Sequence, residues 1–349
     1  MKEFLNKKRV VIAMCITAFF FSLVFFAGFI DTSYGTDSME NKTQSEIESY
    51  WRASVSNVGG DEAYKKFSNI VTLLDIDTQH RYAHIFGGVL YEEEGINSFS
   101  VCDSNFLYGC VHEFVGEALF DSGVQISDDL NFNCIEKLGE SSRFCQHGIG
   151  HGLIAYFGYS EESLKQALNI CAQLPTLDGN KIGGCYGGVF MEYNLQSMLA
   201  DDGSVRISEN YLEPCASIDD EYMSSCIYWQ PQWWRNGPLS SFGTDGEVFK
   251  EMGKYCYEIT TKRNLIDICF QGIGNIIAPG VDFDTDLSIH MCKEATSSER
   301  DNTICRIAAA KRTVDGPGAQ VANQICVGLL EYDFKDCFSQ VEINSNNKN

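Results

Sequence analysis

Positive charge is scarce in this sequence: 26 Lys and Arg stand against 48 Asp and Glu, leaving 349 residues with a formal charge of −22 at pH 7. Phosphate binding needs a basic footprint, so nucleic acid is excluded as a partner. The excess of acid suits a solvated extracellular surface and attracts cations. Chemical signatures are missing too. The 15 cysteines never show a C-x2-C spacing, which argues against zinc knuckles. No His-Glu-x-x-His motif is present, and Asp315-Gly316-Pro317-Gly318 is a turn with no Gly-Lys-Ser/Thr after it, so it is not a phosphate loop.

What is present is a succession of cysteine pairs. Cys102/Cys110, Cys134/Cys145, Cys171/Cys185, Cys215/Cys226, Cys256/Cys269, Cys292/Cys305 and Cys326/Cys337 use every cysteine except Cys15. Even pairing in this number fits disulfides in an oxidising compartment. The pairs recur every 32 to 44 residues, the period of stacked supersecondary units rather than of one globular core.

The N-terminus supplies a route to such a compartment. Residues 1–9 carry Lys2, Lys7, Lys8 and Arg9, and residues 10–30 are uncharged, mostly apolar and long enough to span a bilayer as a helix. The positive flank stays inside, so the rest is expected on the extracytoplasmic side of a cell membrane. A signal-anchor is the favoured reading. Its rival is a signal peptide cleaved near Ser33-Tyr34-Gly35, which would leave the chain secreted. Residues 31–60 read as a flexible tether with a short helix around Ser45 to Ala53 and a glycosylation sequon at Asn41-Lys42-Thr43. The repeat domain is expected over 61–338 and a disordered tail over 339–349.

Within the units the apolar period is helical. Ala63, Phe67, Ile70, Val71 and Leu74 mark one amphipathic helix, and a second is predicted from about Thr78 to Glu94 with Gly95 as its stop. Ser127 is expected to cap a helix with Leu130, Cys134 and Leu138 on its apolar face; Gly139 ends it and another starts near Ser142. Ser160 caps a similar helix carrying Leu164, Ala167, Leu168 and Cys171. The first cysteine then lies late in helix A and the second early in helix B, at similar heights in an antiparallel hairpin and within disulfide reach. Pairing between successive repeats is the alternative, which spacing does not decide. The fold class is all-α: stacked antiparallel helical hairpins, as an open α-solenoid or a closed α/α ring.

Aligned on the cysteine, the second helices share a register. Cys145-Gln146-His147-Gly148-Ile149-Gly150-His151 matches Cys269-Phe270-Gln271-Gly272-Ile273-Gly274-Asn275, and Ile85 fills the cysteine slot of the first hairpin. Five of the six histidines then fall on one helical stripe: His80, His84, His112, His147 and His151. The stripe is centred roughly 230° from the cysteine, so it faces away from helix A, onto the inner wall of a curved array. Tyr228, Gln232, Gln271, Asn275 and Lys311 continue it as a candidate ligand groove. His112, His147 and His151 are the expected core of a zinc, copper or iron site, with His80 and His84 nearby and Glu113 and Glu117 as carboxylate partners. A polar, hydrogen-bonded structural stripe is the competing reading. Gly148, Gly150 and Gly152 are expected to serve close helix packing. In Tyr228-Trp229-Gln230-Pro231-Gln232-Trp233-Trp234, Pro231 is expected to kink or end the helix. Trp229, Trp233 and Trp234 form either an exposed aromatic platform for sugars or core packing.

Phe86-Gly87-Gly88-Val89-Leu90-Tyr91-Glu92-Glu93-Glu94-Gly95, together with the period and the paired cysteines, resembles the Sel1-like disulfide-linked helical repeats, relatives of the tetratricopeptide repeat, over about residues 61 to 338. The resemblance implies an all-α superhelix that binds a protein or peptide, with no catalytic residues to carry over. Three functions stand as expectations: an interaction scaffold, a metal-binding protein or metalloenzyme, and a glycan binder.

Overall fold

The computed structural model describes residues 42–177, 182–196 and 205–346. The apolar run at 10–30 with its Cys15, the cleavage site at Ser33-Tyr34-Gly35 and Asn41 of the sequon lie outside these residues. Among the described residues no helix is long and apolar enough to cross a membrane. The chain divides into two compact units at Ile47, and the helical array occupies the second, Glu48–Asn349.

All regular structure among the described residues is helical. Helix α1 (Gln44–Val58) and α2 (Gly60–Val71) precede α3 (Ile76–Glu94), and α4 (Gly109–Ser122) follows a pair of 3-10 turns. Then come α5 (Ser127–Leu138), α6 (Ser142–Phe157), α7 (Glu161–Gln173), α8 (Cys185–Leu195) and α9 (Met223–Asn236). The series closes with α10 (Asp245–Ile259), α11 (Arg263–Gly280), α12 (Thr285–Ala295), α13 (Glu299–Asp315), α14 (Ala319–Cys326) and α15 (Glu331–Asn346). Side-chain caps set several starts: Asp75 accepts from Thr78 N, Ser160 from Ser163 N, Asp284 from Leu287 N and Ser298 from Asp301 N. Gly95, with φ +69°, stops α3 as its sequence predicts.

The cysteines pair within units and not between them. The bridges are Cys102–Cys110, Cys134–Cys145, Cys171–Cys185, Cys215–Cys226, Cys256–Cys269, Cys292–Cys305 and Cys326–Cys337, with Cα atoms 5.5 to 5.8 Å apart. The loops they close are short, at 8 to 14 residues, which sets the chain-entropy stabilisation at about 3 kcal/mol each at most.

The expected placement of the cysteines holds in the two hairpins from which it was read, α5/α6 and α7/α8, and does not extend to every other unit. In two units the first cysteine is not on a helix: Cys102 follows the 3-10 turn Ile96–Val101, and Cys215 sits in a turn. In the first of these, Lys137 Nζ of the next unit donates to the carbonyls of Phe99, Ser100 and Cys102, groups that a helix would have satisfied itself. The second cysteine is not uniformly early. Cys185 and Cys110 stand at the very start of α8 and α4, and Cys145 and Cys226 complete the first turn of α6 and α9. Cys269, Cys305 and Cys337 come nearly two turns into α11, α13 and α15. The bridge fixes the height of one helix against the other, while the length of helix before it is left free.

Four other local expectations are overturned. The tether reading of 31–60 does not hold over Gln44–Val58: the short helix expected around Ser45 to Ala53 is present, runs on to Val58 and is packed, with Trp51 completely buried edge-on against Phe67 and Phe86 and Val55 buried one turn on. The tail reading of 339–349 gives way to α15, which runs to Asn346 and buries Val341 one turn past Cys337. Ser127 does not cap α5. Its hydroxyl donates back to Val124 O, and Ile126 occupies the cap position. Pro231 does not end α9, which continues to Asn236.

The second helices of the hairpins form a continuous inner row, α3, α4, α6, α8, α9, α11 and α13, each packed on the next. Glycine sets how closely they approach. A Cβ on Gly188 would lie 1.9 Å from His147 O, and one on Gly272 would lie 2.2 Å from Tyr228 O. The third residue after a cysteine thus rests on the second residue after the preceding one, Cys145 in the first case and Cys226 in the other. A second contact runs onto the following helix, where Gly150 and Gly274 would each bring a Cβ within 2.1 Å of a cysteine carbonyl, that of Cys185 and that of Cys305. Gly87 meets Cys110 O in the same way, at 2.2 Å. Only glycine lets backbones meet this closely, and Cα–H···O contacts recur where they do. Gly148 and Gly152 obey the same rule against His112 and Gly116, as their sequence predicts.

Gly188→Ala should therefore unfold the oxidised protein at clearly lower denaturant, by at least about 2 kcal/mol, although Ala is the better helix former. Gly246→Ala, on the first turn of α10 where a Cβ meets only Glu294 Cγ at 3.5 Å and its Cδ at 4.0 Å, should be neutral or slightly stabilising. Equal effects in chemical denaturation would contradict the packing role.

Candidate metal centre

Helix α3 offers His80 and His84 one turn apart on its inner face, and their Nε2 atoms lie 3.2 Å from each other. Gly109 brings α4 against α3, because a Cβ there would strike His80 O at 2.7 Å. That approach carries His112 to ring-centroid distances of 6.0 Å from His80 and 5.7 Å from His84. One ligand atom from each of His80, His84 and His112 lies within 4.8 Å of the other two. Among the described residues, ligand atoms converge in this way at His80, His84 and His112 and not at the expected core of His112, His147 and His151. The reason is register: His80 and His84 both lie before the slot of Ile85, and Gly109 and Gly87 lock α3 and α4 together at that height.

The other ring nitrogen of each imidazole is held. His80 Nδ1 is 2.8 Å from Phe106 O, His84 Nδ1 is 2.9 Å from Glu113 Oε2, and His112 Nε2 is 3.2 Å from Phe144 O. Carbonyls and carboxylates only accept, so these nitrogens carry the protons and the lone pairs point inward. Burial first, then the neighbouring His84, pushes His80 down to about 3. Burial first, then the flanking histidines, pushes His112 and His147 well below the ordinary imidazole value. His80 and His112 are therefore neutral at neutral pH, as metal ligation requires. Two imidazole nitrogens facing each other at 3.2 Å are bridged by a shared proton or by a shared metal cation, since two bare lone pairs at that distance repel. Carboxylate and carbonyl acceptors behind histidine ligands are the usual surroundings of a metal site. Glu113 fills that role for His84. Glu117, a turn further along, is raised by burial and then by Glu113.

His147 and His151 extend the ladder. Their rings are 4.8 Å apart and lie 5.6 and 5.7 Å from His112, and both are buried. His151 Nδ1 is 3.0 Å from Glu192 Oε2, and Tyr159 OH donates to Glu192 Oε1 at 2.6 Å. Glu192 is fully buried, and Tyr159 is raised by burial, then by that carboxylate. Sequence reasoning missed this Tyr–Glu–His chain. The available signal was a single carboxylate inside the otherwise uncharged Cys185–Leu195 helix.

Beyond His147 the stripe changes character. Trp229 reaches its ring at 5.1 Å, a contact that Gly187 permits, since a Cβ there would lie 2.6 Å from the indole nitrogen. Tyr228 is half-buried and pushed up to about 12 by burial, Asn275 is half-buried and Gln271 is exposed. The aromatic patch is not a platform: Trp233 and Trp234 are completely buried, their indole nitrogens donating to Arg206 O at 2.7 Å and Tyr211 O at 2.6 Å. Both carry apolar area and one donor into the core, where each donor found a carbonyl. A sugar-stacking surface built on them is thereby excluded.

Phe106, Leu107 and Tyr108 are consecutive non-glycine residues with φ of +53°, +54° and +62°. This left-handed turn aims Phe106 O at His80 and stacks Tyr108 on Phe144 at 4.7 Å. Such strain costs of order 1–2 kcal/mol per residue and collects at functional sites. No family model, curated protein or solved structure matches the chain.

Glu192→Ala should cost about 3 kcal/mol or more, because it strands the Tyr159 hydroxyl and the His151 N–H in the core. Glu192→Gln, which keeps the shape and one acceptor, should cost less. Denaturant midpoints of the oxidised proteins check the order, and a fully tolerated Glu192→Ala would remove the chain from the site.

Proposed function

We propose that this chain is an extracytoplasmic helical-repeat protein whose inner wall binds a transition-metal ion through His80, His84 and His112. One observation carries the reading: the two Nε2 lone pairs that face each other at 3.2 Å while their Nδ1 partners are held by Phe106 O and Glu113. Three imidazole ligands suit zinc, copper or iron and leave a coordination position open, the arrangement of catalytic rather than closed structural sites. A metal-dependent extracytoplasmic enzyme is the form of this reading with the most chemistry. The seven hairpin disulfides support an oxidising compartment, and the apolar run at 10–30 supports membrane anchoring as the way the chain is held there.

Protein or peptide binding, the role a helical-repeat array suggests, is the second reading. It is favoured by Val327, Leu330 and Tyr332, which stand exposed at the junction of α14 and α15. Replacing the three with Ser should abolish capture of such a partner while leaving metal content unchanged.

Full-length chain made in an oxidising expression host should carry about one equivalent of zinc, copper or iron by elemental mass spectrometry. The His80→Ala/His84→Ala variant should lose it with its disulfides intact, and His147→Ala/His151→Ala should retain it. Folded, metal-free wild-type protein would end the metal reading.

A further inference from the structure

The shortest of the bridged loops is the one beside the histidine triad. Cys102 and Cys110 are 8 residues apart in sequence, against 11 to 14 for the other six bridges. The left-handed run Phe106, Leu107 and Tyr108 lies inside this loop, and Cys110 stands at the start of α4, two residues before His112. All three acceptors that hold the outward ring nitrogens of the triad depend on it. Phe106 O, within the loop, is 2.8 Å from His80 Nδ1. Glu113 Oε2, 2.9 Å from His84 Nδ1, lies on α4 one turn past Cys110. Phe144 O, 3.2 Å from His112 Nε2, belongs to the residue whose ring Tyr108 covers at 4.7 Å. Gly109 seats the loop on α3, where a Cβ would lie 2.7 Å from His80 O and 2.9 Å from Ala83 Cβ.

The backbone of the turn works against its own preference. An L residue at positive φ is disfavoured singly, and here three follow in succession. Contacts secure the rest of the loop: Lys137 Nζ donates to Cys102 O, Asp103 accepts from Tyr64 OH and Asn105 N, and the Phe106 ring packs edge-on against Phe67 at 5.4 Å. The bridge adds what these contacts do not, a covalent limit that holds the two Cα atoms 5.5 Å apart. It removes the extended conformations into which a reduced loop would relax.

We infer that the Cys102–Cys110 bridge gates metal uptake: its oxidation fixes the Phe106–Tyr108 turn, the turn sets the acceptors behind His80, His84 and His112, and the site reaches full affinity only then. The inference rests on the metal reading and deepens it by naming the regulation of that site. The bridge forms by thiol–disulfide exchange with an external protein or small-molecule disulfide. One cysteine thiolate attacks that disulfide and the other resolves the mixed disulfide. The S–S bond between Cys102 and Cys110 is made, the external S–S bond is broken, two electrons pass to the external partner, and the two protons lost here end on its thiols. Both cysteines are then completely buried, so soluble thiols do not reopen the gate. It is passed once, in an oxidising compartment, and the chain takes its metal there and not before.

Zinc affinity of the full-length chain tests it, measured by stripping the oxidised protein with chelator and titrating Zn²⁺ against a chromophoric competitor. Affinity should fall about tenfold or more in Cys102→Ser/Cys110→Ser, the scale of losing the partners behind metal ligands. Cys326→Ser/Cys337→Ser, which opens the last hairpin instead, should keep wild-type affinity. Tyr108→Ala, with every bridge intact, should also bind more weakly, and Tyr108→Phe, which keeps the stacked ring, should not. Wild-type affinity in a folded Cys102→Ser/Cys110→Ser protein would overturn the gate alone. An equal loss in Cys326→Ser/Cys337→Ser would overturn it too, since general loosening would then be the cause. Circular dichroism reports the fold of each variant. Where the chain lacking Cys102–Cys110 does not fold, Tyr108→Ala decides, and wild-type affinity there overturns the gate. Folded wild-type protein that takes up no Zn²⁺ and carries no metal from its host would instead sink the metal reading.

Discussion

The approach of backbone to backbone along the inner row is the constraint on which the rest depends. Ordinary helices pack 8–10 Å apart because side chains separate them. Here glycines shortly after several of the second cysteines, and after the Ile85 slot, remove the separating atom, and carbonyls of one helix rest on Cα atoms of the next. Side chains that flank the glycines on the inward face are then forced together across the row. The histidine ladder follows from this directly: rings on α3, α4 and α6 meet at 5.6 to 6.0 Å because nothing larger than hydrogen stands between their backbones. The staple and the site are thus linked. The cysteine fixes the height of each second helix against its first, the glycine fixes its distance from its neighbour, and the histidine inherits both coordinates.

Polar groups in this interior are dealt with one by one. Trp229, Trp233 and Trp234 each give their indole proton to a backbone carbonyl. Glu192 is a fully buried carboxylate with a phenol and an imidazole as its visible partners. Such a group costs several kcal/mol to bury unless its partners are well placed. Its position behind His151 orients that ring as Glu113 orients His84, so the same carboxylate–imidazole pairing recurs on two different pairs of helices.

Much of this was legible from spacing. Helical period, glycine stops and even cysteine pairing identify an all-α stack, and the cysteine register alone places five histidines on one inward stripe. What spacing cannot contain is height. His80 and His84 lie before their slot and His147 and His151 after theirs, and which ring nitrogens converge with those of His112 depends on packing that Gly109, Gly87 and Gly148 determine in three dimensions. The turn at Phe106–Tyr108 was invisible for a different reason, since nothing in Phe-Leu-Tyr advertises a left-handed backbone. Trp51 shows the opposite error. Its helix was expected, but the polar surroundings read as part of a tether, while a single large ring at helical spacing from Val55 was enough to bring that segment into the core.

The disulfides all join cysteines close in sequence, none crossing from one hairpin to the next. A chain that emerges in order of sequence therefore never has to hold one thiol in reserve for a partner not yet delivered. Each hairpin can oxidise as it appears, so fidelity of pairing is secured by order of arrival rather than by a search among many thiols. The array can then be assembled one unit at a time, with every finished hairpin serving as the template on which the next one docks.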